Sequence, residues 1–149
     1  MLKALKRLFD EPGSEAGPAF ERRQLQLAIA MLLHESTRVD LDSHAAECAA
    51  AECALAELCD LDPAACKELL AEARGRTGQL VSYFAQVSVI KREFTMAQRV
   101  ALIEHLWRIA YAHDPLDPYE DHFVRKIAHL LHVPNIQCML ARSHARTEH

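Results

Sequence analysis

Apolar residues recur along most of this chain at spacings of three and four. In AFERRQLQLAIAMLLHES, residues 19 to 36, Leu25, Ile29, Leu32 and Ser36 fall on one helical stripe. Leu27, Ala28, Met31 and Leu33 widen it, so this segment reads as a largely buried, central helix. TRVDL follows as a turn. Asp42 stands at the N-cap of a second helix, SHAAECAAAECALAELC, whose alanines and cysteines allow close approach of neighbours. In DLDPAACKELLAEAR, Asp62 is a cap and Pro63 the first helical residue, and Gly75 and Gly78 are expected to break the helix. QLVSYFAQVSVIKREF is ambiguous. Leu80, Phe84, Val87 and Lys91 suit a helix, whereas VSVI has strand character. Helix is preferred, because a lone strand would have no partner.

Thr95 and Gln98 form a capping-box pattern ahead of MAQRVALIEHLWRIAYAH, with Val100, Ile103, Leu106 or Trp107, and Ala110 on its stripe. YEDHFVRKIAHLLHV and, after Pro134, NIQCMLARSHAR complete the series. The pattern predicts an all-α, single-domain bundle of about seven helices. Residues 1–18 read as an N-terminal segment and linker, since DEPGSEAGP has no apolar period. Residues 19–149 form the domain.

The order of elements repeats. A long helix, an acidic turn, a helix, a short turn and a helix occur in residues 28 to 74 and again from Ile103 to Arg146. VDLDSH aligns with DPLDPY about the pairs Leu41-Asp42 and Leu116-Asp117, and LAELCDLDPA aligns with IAHLLHVPNI. This implies two duplicated helical hairpin units with pseudo-twofold packing, whose acidic turns lie near one another.

Composition narrows the class. The 149 residues fit one domain with a sizeable core; half are hydrophobic and 6% aromatic, with four glycines and six prolines. A net charge of -4 gives no reason to expect nucleic-acid binding. The longest apolar run, LAIAMLL, is far short of the ~20 residues that cross a bilayer, and a cytoplasmic location is expected. The opening MLKALKRLF is basic and amphipathic, and offers peripheral contact with anionic lipid. The five cysteines are odd in number and contain no CxxC, so they read as small buried apolar residues in a reducing compartment. A zinc site from Cys48, Cys53 and His44 has the wrong spacing.

Candidate chemistry concentrates in YAHDPLDPYEDHFVRKIAHLL. Local helix stability explains part of it: Asp117 is the cap, Pro118 the first helical residue, Glu120 reaches back to the cap amide, and Asp121 lies near the positive end of the helix dipole. The sharper reading is a divalent-cation site. Asp114, Asp117, Glu120 and Asp121 offer hard oxygens, and further ligands would come from Asp40 and Asp42 of the echoing turn or from Glu35. The spacing is not that of an EF-hand, because Pro115 and Leu116 follow Asp114 and the loop lacks glycine. His34 with His113-Asp114 raises the alternative of a metal-dependent phosphohydrolase of the helical HD type. The only later aspartates, Asp117 and Asp121, are too close to serve as its distant ligand. His122, His129 and His132 share part of a helix face without a completing ligand. No serine sits in a nucleophile elbow and no phosphate-cradling loop occurs, so no enzymatic constellation stands out.

The segment LWRIAYAHDPLDPYEDHFVRKIAHLLHVP resembles the TerB-like family, named for tellurite-resistance protein B. Its signature is roughly Ala-Asp-Gly-x-Leu-Asp-x-x-Glu before an apolar helix. Here it reads from Ala112 to Glu120, with Leu116, Asp117 and Glu120 matching and His113-Asp114 standing where Asp-Gly is usual. Arg38 to Asp42 is a weaker copy. The similarity spans about residues 20 to 143. It implies an all-helical bundle associated with tellurite and stress-response systems, membrane-linked assemblies and divalent-metal binding. The expectation is thus a binding or scaffold module with a cation site at Asp40, Asp42, Asp114, Asp117 and Glu120. A protein partner is expected, and a homodimer would cover the broad apolar stripes of the long helices.

Overall fold

The computed structural model describes residues 17–37, 44–78, 80, 82–112 and 116–147, with the backbone alone at residue 44. Seven helices lie among the described residues, and no strand. They are α1 (Pro18–Ser36), α2 (His44–Cys59), α3 (Pro63–Thr77), α4 (Phe84–Glu93), α5 (Met96–Ala110), α6 (Pro118–Leu130) and α7 (Asn135–Thr147). The all-α expectation holds. The Asp42 cap and residues 1–16 of the expected linker lie outside the described residues.

Local chemistry sets most helix ends. Gly17 caps α1 and Pro18 is its first residue, so the proline expected in the linker opens the helix. Its fixed φ suits that position, where no amide partner is needed. Asp62 caps α3 by accepting the Ala65 N–H at 2.8 Å. Both arms of the α5 capping box form: the Gln98 side chain accepts the Thr95 amide at 2.8 Å, and the Thr95 hydroxyl accepts the Gln98 amide at 3.2 Å. Two boundaries differ from expectation. Gly75 does not break α3, which runs on to Thr77 and is capped at Gly78. One interior glycine costs only about 1 kcal/mol, less than the packing of Leu69, Leu70 and Ala73 returns. Leu80, Ser82 and Tyr83 of the ambiguous stretch are not helical, although VSVI is helical within α4.

Helix α1 is the centre of the bundle, in contact with α2, α3, α4, α5 and α6. Ile29, Ala30, Leu32 and Leu33 are fully buried. Each large side chain of that kind contributes roughly 1.5–3 kcal/mol by leaving water. These positions of the α1 stripe are covered within the chain. Helix α5 has the same role in the second half, where Leu102, Ile103, Leu106, Trp107 and Ile109 are buried against α2, α6 and α7. The packing echoes the sequence repeat. In α1–α2–α3 and in α5–α6–α7 each helix touches the other two, and α1 and α5 pack together across the join.

Two tertiary contacts tie the halves internally. The Trp107 indole N–H donates to the Cys138 carbonyl at 3.2 Å, joining α5 to α7, and the Arg142 guanidinium lies 5.4 Å over the Trp107 ring. Arg99 donates to the carbonyls of Lys91 at 2.7 Å, Phe94 at 3.2 Å and Leu131 at 3.2 Å. One cation thereby serves the C-terminal ends of α4 and α6, where unpaired carbonyls and the helix dipole favour positive charge.

Candidate functional site

The acidic corner is built where α2 and α6 begin. Asp117 caps α6, but its carboxylate accepts the Tyr119 amide at 2.7 Å, one residue earlier than a capping box requires. Glu120 does not reach back to the cap. It turns inward and is 3% exposed, beside Glu47 from the first turn of α2, which is fully buried. Burial pushes the Glu120 carboxyl up to about 8, and the charges of Glu47 and Asp117 add to the rise. A buried carboxylate from each half thus takes part in this corner, and the charge of Glu47 acts on Glu120.

Asp121 is committed elsewhere. It pairs with Arg125 at 2.8 Å and approaches Arg142 at 3.9 Å, which makes it a surface helix partner. Of the five residues expected at a cation site, Asp117 and Glu120 are placed at this corner. Asp40, Asp42 and Asp114 lie outside the described residues, as does His113 of the HD-type reading. Glu47 was missed by sequence reasoning. It lies in the first turn of an alanine-rich helix that reads as a packing surface, and its influence on Glu120 comes from tertiary structure.

Glu35, at the end of α1, is held by two tyrosines. The hydroxyl of Tyr83, which immediately precedes α4, donates to one of its oxygens at 2.8 Å. The hydroxyl of Tyr119 from α6 donates to the other, also at 2.8 Å. The Tyr83 ring meets Phe123 edge-on at 5.8 Å between centroids. His34 lies next in sequence; the Thr37 hydroxyl donates to its backbone carbonyl at 2.6 Å and sits 3.5 Å from its Nδ1.

The hard-oxygen donors suit a divalent cation in kind. Among the described residues, however, no group of three or more His, Cys, Asp and Glu side chains converges so as to hold one. Glu47 and Glu120 supply two carboxylates, and a full ligand shell would draw on the corner residues beyond the described set. His122, His129 and His132 are all exposed. Of the cysteines, only Cys66 and Cys138 are buried; Cys48 and Cys59 are partly exposed and Cys53 is exposed, which corrects the expectation of five buried thiols. Burial beside Cys66 pushes the Cys59 thiol up to about 12.

A separate polar network joins α2, α5 and α7. His105 Nε2 meets Glu57 at 2.9 Å, Arg108 pairs with Glu104 at 2.8 Å, and His144 Nδ1 reaches Glu104 at 3.1 Å. Burial lowers the His105 pKa, although the Glu57 carboxylate opposes that shift. Arg108 already provides the positive charge between these carboxylates.

No described helix is long and apolar enough to cross a membrane. A family model described as tellurite resistance protein TerB matches residues 26–143. No curated protein and no solved structure matches the chain.

Proposed function

We propose, from the premise that this chain belongs to the TerB family, that it is a binding or scaffold module whose acidic corner takes a divalent cation. One observation carries the reading: Glu47 and Glu120, both buried, stand close enough to disfavour each other's charge. A cation beside the two carboxylates would lower that cost, as a proton on Glu120 does. Glu47 and Glu120 would hold the ion, with Asp117 at the rim and Asp40, Asp42 and Asp114 as the further oxygen donors named by the sequence. A bound ion would supply charge neutralisation and draw the starts of α2 and α6 together. It would present a fixed corner to a protein partner in stress-response or tellurite-resistance-type assemblies.

The test is a thermal-shift series with magnesium, calcium and manganese on the full chain. A selective rise in melting temperature with one ion is expected, since a ligand that binds only the folded state stabilises it by mass action. The rise should shrink in Glu120→Gln and in Asp117→Asn. An unchanged melting temperature with every ion would remove the cation and leave a pure protein-interaction module, whose partner binding weakens with salt.

A further inference from the structure

We infer that a second site, independent of the cation reading, takes a small organic anion with an aromatic or acyl body. A cavity of about 590 Å3 opens between the ends of α1 and α3, the chain leading into α4, and one side of α6. That volume lies within the ~300–1,000 Å3 usual for small-molecule sites. Its apolar wall comes from Leu80, Tyr83, Phe84, Phe123, Ile127 and Leu130. Phe84 is 71% exposed, an unusual placement for a large aromatic ring at the first turn of a helix.

The charges of the cavity decide the ligand class. Glu35 is its acidic member, and both of its oxygens already accept tyrosine hydroxyls. Arg74 and Lys126 also line the cavity, and neither forms an ion pair with another described residue. In a chain of net charge -4, two uncommitted cations beside an aromatic wall favour an anion. The Glu35–tyrosine clamp holds the wall in place by joining α1, the start of α4 and α6. A ligand would lay its apolar body on Phe84, Tyr83 and Phe123 and direct a phosphate or carboxylate group to Arg74 and Lys126. Arg74 suits this role because its planar donors meet two oxygens at once.

The test uses 1-naphthyl phosphate as probe, with 1-naphthol and inorganic phosphate as half-ligands, followed by calorimetry and by amide NMR on the full chain. Saturable binding of the whole probe is expected, at least about tenfold tighter than either half. Amide shifts should centre on residues 74–84 and 119–130. The double variant Arg74→Ala/Lys126→Ala should lose at least about tenfold in affinity, the loss expected for one charge-assisted hydrogen bond, while its melting temperature stays unchanged. Phe84→Ala should weaken 1-naphthol and the probe but not inorganic phosphate. Phosphatidylglycerol vesicles of matched charge should not displace the probe, which separates a free ligand from a lipid headgroup. The inference is overturned by absence of saturable binding, by equal affinity in the double variant, by shifts scattered over the surface, or by displacement by vesicles. The cation series fails or succeeds separately, because its variants change Glu120 and Asp117, neither of which lines the cavity.

Discussion

Glu120→Gln replaces a buried carboxyl with a neutral group of the same shape, and so imitates the protonated side chain. In the folded protein burial keeps the proton on Glu120 up to about pH 8, whereas an ordinary glutamate loses it near 4.5. The folded state therefore binds more protons than the unfolded state between those values, and wild-type stability must fall as pH rises through that window. The stability associated with protonated Glu120 is fully present below about 4.5 and lost by about 8. At 1.36 kcal/mol per unit, the full rise corresponds to about 5 kcal/mol, and to about 3 kcal/mol by neutral pH. The variant lacks this loss. Urea unfolding followed by circular dichroism, in chelator, should give wild type and variant similar stability near pH 4.5, with the variant pulling ahead by about 1.4 kcal/mol per unit of pH until about pH 8. Glu47→Gln removes a neighbouring charge that raises the Glu120 pKa, so the pH-dependent loss should be smaller and should end at a lower pH than in wild type. Parallel stability curves for wild type and Glu120→Gln across this range would show that the corner is wetter, or the carboxylates further apart, than the argument needs.

Arg99→Met keeps the aliphatic stem but removes the donors to three carbonyls at the ends of α4 and α6; a loss of about 2–3 kcal/mol in chemical denaturation is expected, and a loss below about 0.5 kcal/mol would make the contact incidental. Gly75→Ala should stabilise α3 by about 0.5–1 kcal/mol, because an added Cβ meets nothing within 4 Å there. Differential scanning calorimetry would register this as a melting temperature higher by about 2–3 °C, and a decrease would mean the glycine serves a purpose its open surroundings do not reveal.

The sequence by itself determined the class, the number of helices and most of their starts, because those follow from periodicity and from side chains acting on amides a few residues away. Asp62, Thr95 with Gln98, and Asp117 cap their helices through contacts within three residues. The repeat of helix order was legible for the same reason, and the contacts of α1–α2–α3 and α5–α6–α7 follow it. The start of α4 was not, since its one local signal is Ser82, whose hydroxyl accepts the Phe84 amide at a long 3.5 Å. Only the tertiary structure decided what the polar residues do. Glu120 read as half of a capping box until the approach of α2 gave it Glu47 as a neighbour and took away its water. Arg99 gains its role only where the ends of α4 and α6 bring three carbonyls to it. Glu35 found two tyrosine partners that lie 48 and 84 positions away along the chain. A helix start is a short-range event, whereas the charge a buried carboxyl carries depends on which distant groups the fold brings beside it and how much solvent it excludes.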